Sequence, residues 1–270
     1  MTKSAFQKKI WDYYKAYGRH DLAWRKTKDP YKILVSEIML QQTQVSRVIP
    51  KYEAFLKAFP TLNDLAKASQ SEALSLWQGL GYNRRGLNLW RSAQVIQNDL
   101  GGVFPSTSEA LDALPGIGPY TACAVVTFWK NKPLVFIETN IRTVYLVSFF
   151  DSIKGNVKDS EILEYVSKTV DKENPREWYY ALMDYGVMLK VTQKEKNTKS
   201  AHYRKQKPFK GSQREIRSGV LKILLQKKGI TFSDLEKRIP FSKEKIRLVA
   251  EALAKEGFIK KEGHTLSLIQ

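Results

Sequence analysis

The stretch "LPGIGPYTA", residues 114–122, decides the fold. Gly116 and Gly118 place two flexible residues in a tight turn, and the turn opens onto "YTACAVVTFW" (120–129), which is apolar nearly all round and so reads as a helix buried on most faces. Backbone amides at such a turn and helix start point outward and can hold a phosphate. Taken alone, a Gly-rich turn is more often plain punctuation between helices. Here an acid, Glu138, follows sixteen residues later at the end of the apolar run "PLVFIETN" (133–140). Glu138 is either a cap for the helix that "ETN" starts or a carboxylate held partly out of water.

On both sides of this turn the chain reads as successive amphipathic helices. "SEIMLQQTQVSRVIPKYEAFLKAF" (36–59) carries apolar residues every three to four positions, with a break expected at Pro50. "SEALSLWQGL", "RRGLNLWRSAQVIQNDL" and "SEALDAL" repeat the pattern between Gly and Pro punctuation. β-Hairpin signals are missing from residues 1 to 193, so this part is expected to be all-α. A basic linker, 194–213, follows. The segment from Lys194 to Arg217 holds nine Lys or Arg against two Glu. Such runs are usually solvated connectors, and they also lie along DNA.

Residues 214–270 change character. Three short helices, with Ser and Thr at N-cap positions, precede "FIKKEGHTLSLI", which reads as two short strands around Gly263. The order resembles a winged helix-turn-helix whose candidate recognition helix, about 243–256, carries Lys243, Lys245 and Arg247 as DNA contacts. A protein-docking module is the alternative.

With 270 residues and 43% apolar content the chain can bury a large core. A net charge of +18 is the footprint expected of a polyanion partner. Cys123 is the single cysteine, which excludes disulfides and a cysteine-ligated metal or iron–sulfur cluster. With neither a signal-peptide core nor an apolar run of about 18 residues, no membrane partner is expected. The expected location is cytoplasmic and nucleoid-associated.

The hairpin with its later acid is the arrangement of the helix–hairpin–helix DNA glycosylases. Within that superfamily the chain resembles the MutY-type adenine DNA glycosylases. "LAWR" (22–25), "SEIMLQQTQV" (36–45), "LWQGLGY" (76–82), "LPGIGPYTA" (114–122), "FIETNIRTV" (136–144) and "ALMDYG" (181–186) fall in the family's order and spacing. The resemblance implies a two-lobed fold and a monomer that binds double-stranded DNA containing a lesion or mismatch. The substrate it implies is adenine opposite 8-oxoguanine. Another mismatched or damaged base, or lesion binding with attenuated catalysis, are the alternatives.

Adenine leaves poorly as an anion, so an acid must protonate it, and the sugar cation that develops needs a nearby negative charge. By resemblance Glu37 is the acid, Glu138 stands where the family places the stabilising aspartate, and Tyr120 and Asn140 line the site. Relatives that cut the strand carry a lysine at the Tyr120 position, so base removal without lyase activity is expected. Trp24 and Arg25 are expected beside the flipped base. Gln42, Thr43, Leu80 and Tyr82 are expected to read or wedge beside the opposite base, and Gly116, Gly118 and Thr121 to meet the DNA backbone. A monovalent cation held by hairpin carbonyls around Leu114 to Gly118 is also implied, with no side-chain metal site and no other cofactor.

Four departures stand out. Glu138 is one methylene longer than the family's aspartate. The four-cysteine iron–sulfur loop is replaced by "MLKVTQKEKNTKSAHYRKQKPFKG" (188–211), and the usual C-terminal domain by the winged module. "WYYALMDYG" (178–186) puts aromatics where relatives often carry Asn and Gln, as a stacking surface or as core.

Overall fold

The computed structural model describes residues 1–153, 155–193, 200–201, 208–227 and 229–269. Twelve helices come first: α1 (Lys3–Tyr17), α2 (Ala23–Lys26), α3 (Pro30–Leu40), α4 (Val45–Ala58), α5 (Leu62–Lys67), α6 (Gln70–Trp77), α7 (Asn83–Asn98), α8 (Ser108–Asp112), α9 (Pro119–Lys130), α10 (Thr139–Phe149), α11 (Asp159–Thr169) and α12 (Pro175–Thr192). The C-terminal module adds α13 (Gln213–Gln226), β1 (Ile230–Thr231), α14 (Phe232–Arg238), α15 (Lys243–Lys255), β2 (Ile259–Glu262) and β3 (Thr265–Leu268). The chain forms two compact units, Met1–Glu37 with Pro105–Lys205 and Ile38–Phe104 with Gln206–Gln270.

The first unit is built on aromatic residues. α1 is capped by Thr2, whose side chain accepts from the Ala5 amide, and it buries Phe6, Ile10 and Tyr14 at four-residue spacing. Phe6 meets Trp178 of α12 edge-on at 5.8 Å and tilts against Tyr145 of α10 at 5.3 Å. The aromatics of "WYYALMDYG" are core: Tyr179 stacks on Phe136 at 3.8 Å and Tyr180 on Phe128 at 4.5 Å. Their rings are sequestered between helices and offer no stacking face to a base.

The hairpin lies between α8 and α9. Gly116 takes φ +73°, a left-handed conformation that a side chain would strain. Gly118 is the N-cap of α9 and Pro119 its first residue, where the missing N–H costs no helical bond.

In the second unit, reciprocal capping boxes start α5 (Thr61 with Asp64) and α6 (Ser69 with Glu72). The expected break at Pro50 falls elsewhere. The chain leaves its helix at residues 41–44, where Gln42 takes φ +54°, and Pro50 sits inside α4. A proline there leaves the Ser46 carbonyl without its usual amide, a loss that water can offset because both residues are exposed.

The C-terminal module has a three-stranded antiparallel sheet of order β1-β3-β2 against three helices, the winged helix-turn-helix arrangement. It shares one core with α6 and α7, in which Leu74 and Leu87 are buried with Val220, Leu253 and Phe258. Polar contacts seal this junction. Gln70 Nε2 donates to the Phe258 carbonyl at 3.1 Å, and the Glu256 carboxylate pairs with Arg84 at 2.7 Å and Arg217 at 2.6 Å. Most of the expected linker, 194–199 and 202–207, lies outside the described residues.

Candidate active site

Glu37 is in the last turns of α3, whose sequence "PYKILVSEIML" is apolar on nearly every face. That environment buries the acid to 6% exposure. Burial raises its pKa to about 7, the Tyr120 hydroxyl pulls it back, and the charge of Glu138 pushes it up again. Tyr120 Oη donates to Glu37 Oε2 at 3.1 Å. The same ring meets Phe136, two residues before Glu138, edge-on at 5.7 Å. One tyrosine thus touches the acid and packs on the segment that carries the second carboxylate.

Glu138 is the N-cap of α10. Its Oε1 accepts the amides of Asn140 (2.7 Å) and Ile141 (2.9 Å), and its Oε2 accepts Asn140 Nδ2 at 3.2 Å. The positive end of the α10 dipole adds to this hold.

Trp24 and Arg25 lie inside the first unit, 4% and 9% exposed. Arg25 Nη1 and Nη2 meet the two oxygens of Asp184 at 2.7 and 2.8 Å, and its guanidinium covers the Tyr180 ring at 4.5 Å. Asp184 also accepts Arg19 Nε at 2.7 Å. Arg25 is therefore a bidentate partner in a buried pair rather than a side chain held out toward a base. Thr121 is 2% exposed, so its side chain is buried in the protein.

In the second unit Gln42 is exposed and Leu80 is buried. Tyr82, the N-cap of α7, adopts the left-handed conformation at φ 48° and ψ 53°, a strain that persists only where surroundings enforce it. Arg85 supplies that enforcement. Its Nη1 donates to the Ile38 carbonyl at 2.8 Å and to the Gln41 carbonyl, and its Nη2 to Thr43 Oγ1 at 3.1 Å and the Gly81 carbonyl at 3.3 Å. One guanidinium ties the Gln42–Thr43 turn to the Leu80–Tyr82 loop. Arg214 of α13 donates to Tyr82 Oη at 3.3 Å from the other side. On α15, Lys245 is exposed, while Lys243 and Arg247 pair with Glu236 of α14 at 3.7 and 3.2 Å.

Sequence reasoning missed Asp184, Arg85, Arg214 and Lys190. Their signal was weak, since each is one charged residue in an amphipathic helix. The only hint was a charge set among apolar neighbours, as in "ALMDYG".

Phenylalanine at 120 removes the hydroxyl that holds the Glu37 pKa down. The alkaline limb of any activity that needs protonated Glu37 should therefore move to higher pH in Tyr120→Phe, measured as single-turnover rate against pH. A limb that moves to lower pH would refute the assignment of that hydrogen bond.

The first unit thus combines a buried acid, a second carboxylate held at a helix start and a glycine turn that opens a buried helix. The chain belongs to the family described as HhH-GPD superfamily base excision DNA repair protein, which it matches over residues 35–172. It is 35% identical over 193 residues to an adenine DNA glycosylase of Buchnera aphidicola (subsp. Baizongia pistaciae), covering 70% of this chain and 54% of that one. It is 32% identical over 202 residues to the human adenine DNA glycosylase, covering 71% and 37%. With the adenine DNA glycosylase of Mycolicibacterium smegmatis it shares 43% identity over 129 residues, 47% and 44% of the two chains. The chain spans about half the length of the curated relatives it matches. Among solved structures, a thermostable thymine-DNA glycosylase aligns with a TM-score of 0.61 and 28% identity over 69% of this chain and 86% of that one. An endonuclease III–DNA complex aligns at 0.53 and 18% over 77% and 91%, a likeness of fold.

The cysteine-ligated cluster common among relatives does not fit these residues. Cys123 lies half-buried within α9 and is the single thiol of this sequence. Among the described residues no group of three or more His, Cys, Asp or Glu could hold a metal ion. No helix among them is long and apolar enough to cross a membrane.

Proposed function

We propose that this chain is a monofunctional DNA N-glycosylase that removes a mispaired base, adenine opposite 8-oxoguanine, from duplex DNA. One observation carries the reading: Glu37, buried and neutral up to about pH 7, is hydrogen-bonded to Tyr120 beside the charge of Glu138. Two carboxyl groups whose environments differ in this way divide the work of acid and charge stabiliser.

In the reaction, protonated Glu37 gives its proton to a ring nitrogen of the flipped adenine. The N-glycosidic electron pair then leaves with the neutral base. Glu138, held by two amides and an amide side chain, offsets the cationic character at the sugar. Water then adds to the sugar carbon and gives its proton to the ionised Glu37, which restores the acid and completes hydrolysis. Tyr120 offers no amine for a Schiff base, so the product is an abasic site in an intact strand. The names of the relatives support adenine as the base, and the net charge of +18 supports a nucleic-acid partner. We assign the hairpin amides to a backbone phosphate, Gln42 and Tyr82 to the opposite strand and Lys245 to flanking DNA. We read the protein as a monomer.

The thymine-DNA glycosylase likeness makes thymine opposite guanine the second reading. Base release from duplexes with A:8-oxoguanine, A:G, T:G, U:G and an alkylated base separates them. We expect fastest release from A:8-oxoguanine, with strand breaks appearing only after alkali. Release of thymine alone would move the assignment to the second reading, and tight binding with no abasic product from any duplex would remove the enzymatic one.

A further inference from the structure

Gly186 and Lys190 are one turn apart on α12 and share a face of the helix. That face presses against the first turn of α10. A Cβ built on Gly186 would lie 2.3 Å from the Asn140 carbonyl oxygen and 2.9 Å from its Cβ. The missing side chain lets the two helices approach until Lys190 Nζ donates to Asn140 Oδ1 at 2.6 Å. Lys190 is half-buried, and burial lowers its pKa while the charge of Glu138 raises it and Arg142 lowers it further. Its place in the last turn of α12 favours a cation.

An ammonium has donors only, so it can meet only the oxygen of the Asn140 amide. The amide nitrogen is thereby turned toward Glu138, where Nδ2 lies 3.2 Å from Oε2. In all three of its bonds Glu138 accepts, so the chain of bonds has one polarity from lysine to glutamate. Oε1 is already held by two backbone amides. The carboxylate of a glutamate has one more torsion than that of an aspartate, and the second bond, on Oε2, removes that freedom.

We infer that Lys190 is a positioning residue: through Asn140 it locks the orientation of the Glu138 carboxylate. Its catalytic consequence rests on the glycosylase reading above, whereas the bonded chain itself does not. Methionine at 190 keeps the length and apolar stem but cannot donate. The Asn140 amide is then free to turn its oxygen toward Glu138, and the carboxylate loses its fixed position.

The test uses the full chain as Lys190→Met and Lys190→Arg. Single-turnover base release by Lys190→Met should fall about ten- to a hundredfold, the range that a misplacement near 1 Å produces. Duplex affinity should stay at the wild-type value, and Lys190→Arg should restore the rate. A merely structural lysine would weaken folding and binding without this split. The side-chain amide of Asn140, followed by nitrogen-15 NMR, should shift and exchange faster in Lys190→Met than in wild type or Lys190→Arg. A wild-type rate in Lys190→Met, or an Asn140 signal unmoved by it, overturns the inference. Should the wild-type protein release no base at all, the glycosylase reading fails by itself, and the amide signal alone decides the role of Lys190.

Discussion

Glu37→Gln should release base about a hundred to ten thousand times more slowly than wild type, the usual contribution of a general acid, while binding the same duplex equally well. Glutamine keeps the size of the side chain and an oxygen for the Tyr120 hydroxyl, and it loses only the transferable proton. The same substitution should stabilise the fold at alkaline pH. The folded-state pKa of Glu37 is about 7 against an ordinary value of 4.5. Its favourable contribution is therefore complete below pH 4.5 and is lost as pH rises through 7. The loss amounts to about 3 kcal/mol. Unfolding followed at pH 4.5 and pH 8 should show Glu37→Gln gaining on wild type at the higher pH. In wild type, release limited by chemistry should decline above about pH 7 as the acid ionises. A fully active Glu37→Gln would take this residue out of the mechanism.

Gly186→Ala carries the second large expectation. The added methyl would meet the backbone of Asn140 at 2.3 and 2.7 Å, and backbone cannot rotate away as a long side chain can. The start of α10 must move, and Asn140, the Glu138 cap and the Lys190 bond move with it. A shift near 1 Å predicts a loss of about a hundredfold in single-turnover rate, with about 1–3 kcal/mol of destabilisation from overpacking. Measuring the unfolding midpoint with the rate separates the two. A fold weakened by that amount remains mostly native at 25 °C, so the rate loss reports displacement of the site. An unchanged rate would show that α10 tolerates the shift.

Much of the fold was legible because its signals are local. The hairpin needs Gly116 at a left-handed turn and an apolar helix behind it, and both are written within "LPGIGPYTACAVV". The winged module could be read from Ser and Thr at N-cap positions and from two short strands around Gly263. Pro50 misled because an exposed helical position tolerates proline, whereas the true break lies in a turn that Arg85 holds from 42 residues or more away. The aromatics of "WYYALMDYG" left two readings open, since a ring suits a core and a stacking surface equally. Packing against Phe128 and Phe136 chose the core.

The amino-acid order alone determined the helical class, the hairpin and the presence of two carboxylates with their separation along the chain. It also determined the basic charge and the lack of cysteines for a cluster. Only the tertiary structure decided what those carboxylates are. Glu37 becomes an acid with a pKa near 7 because α3 buries it against Tyr120, 83 residues away in sequence. Glu138 acquires a fixed orientation because Lys190, 50 residues from Asn140, reaches the amide that holds it. Arg25 is drawn inward by Asp184, 159 residues distant. Burial and pairing of charge depend on distance in space, and residue order constrains that distance only through the completed fold.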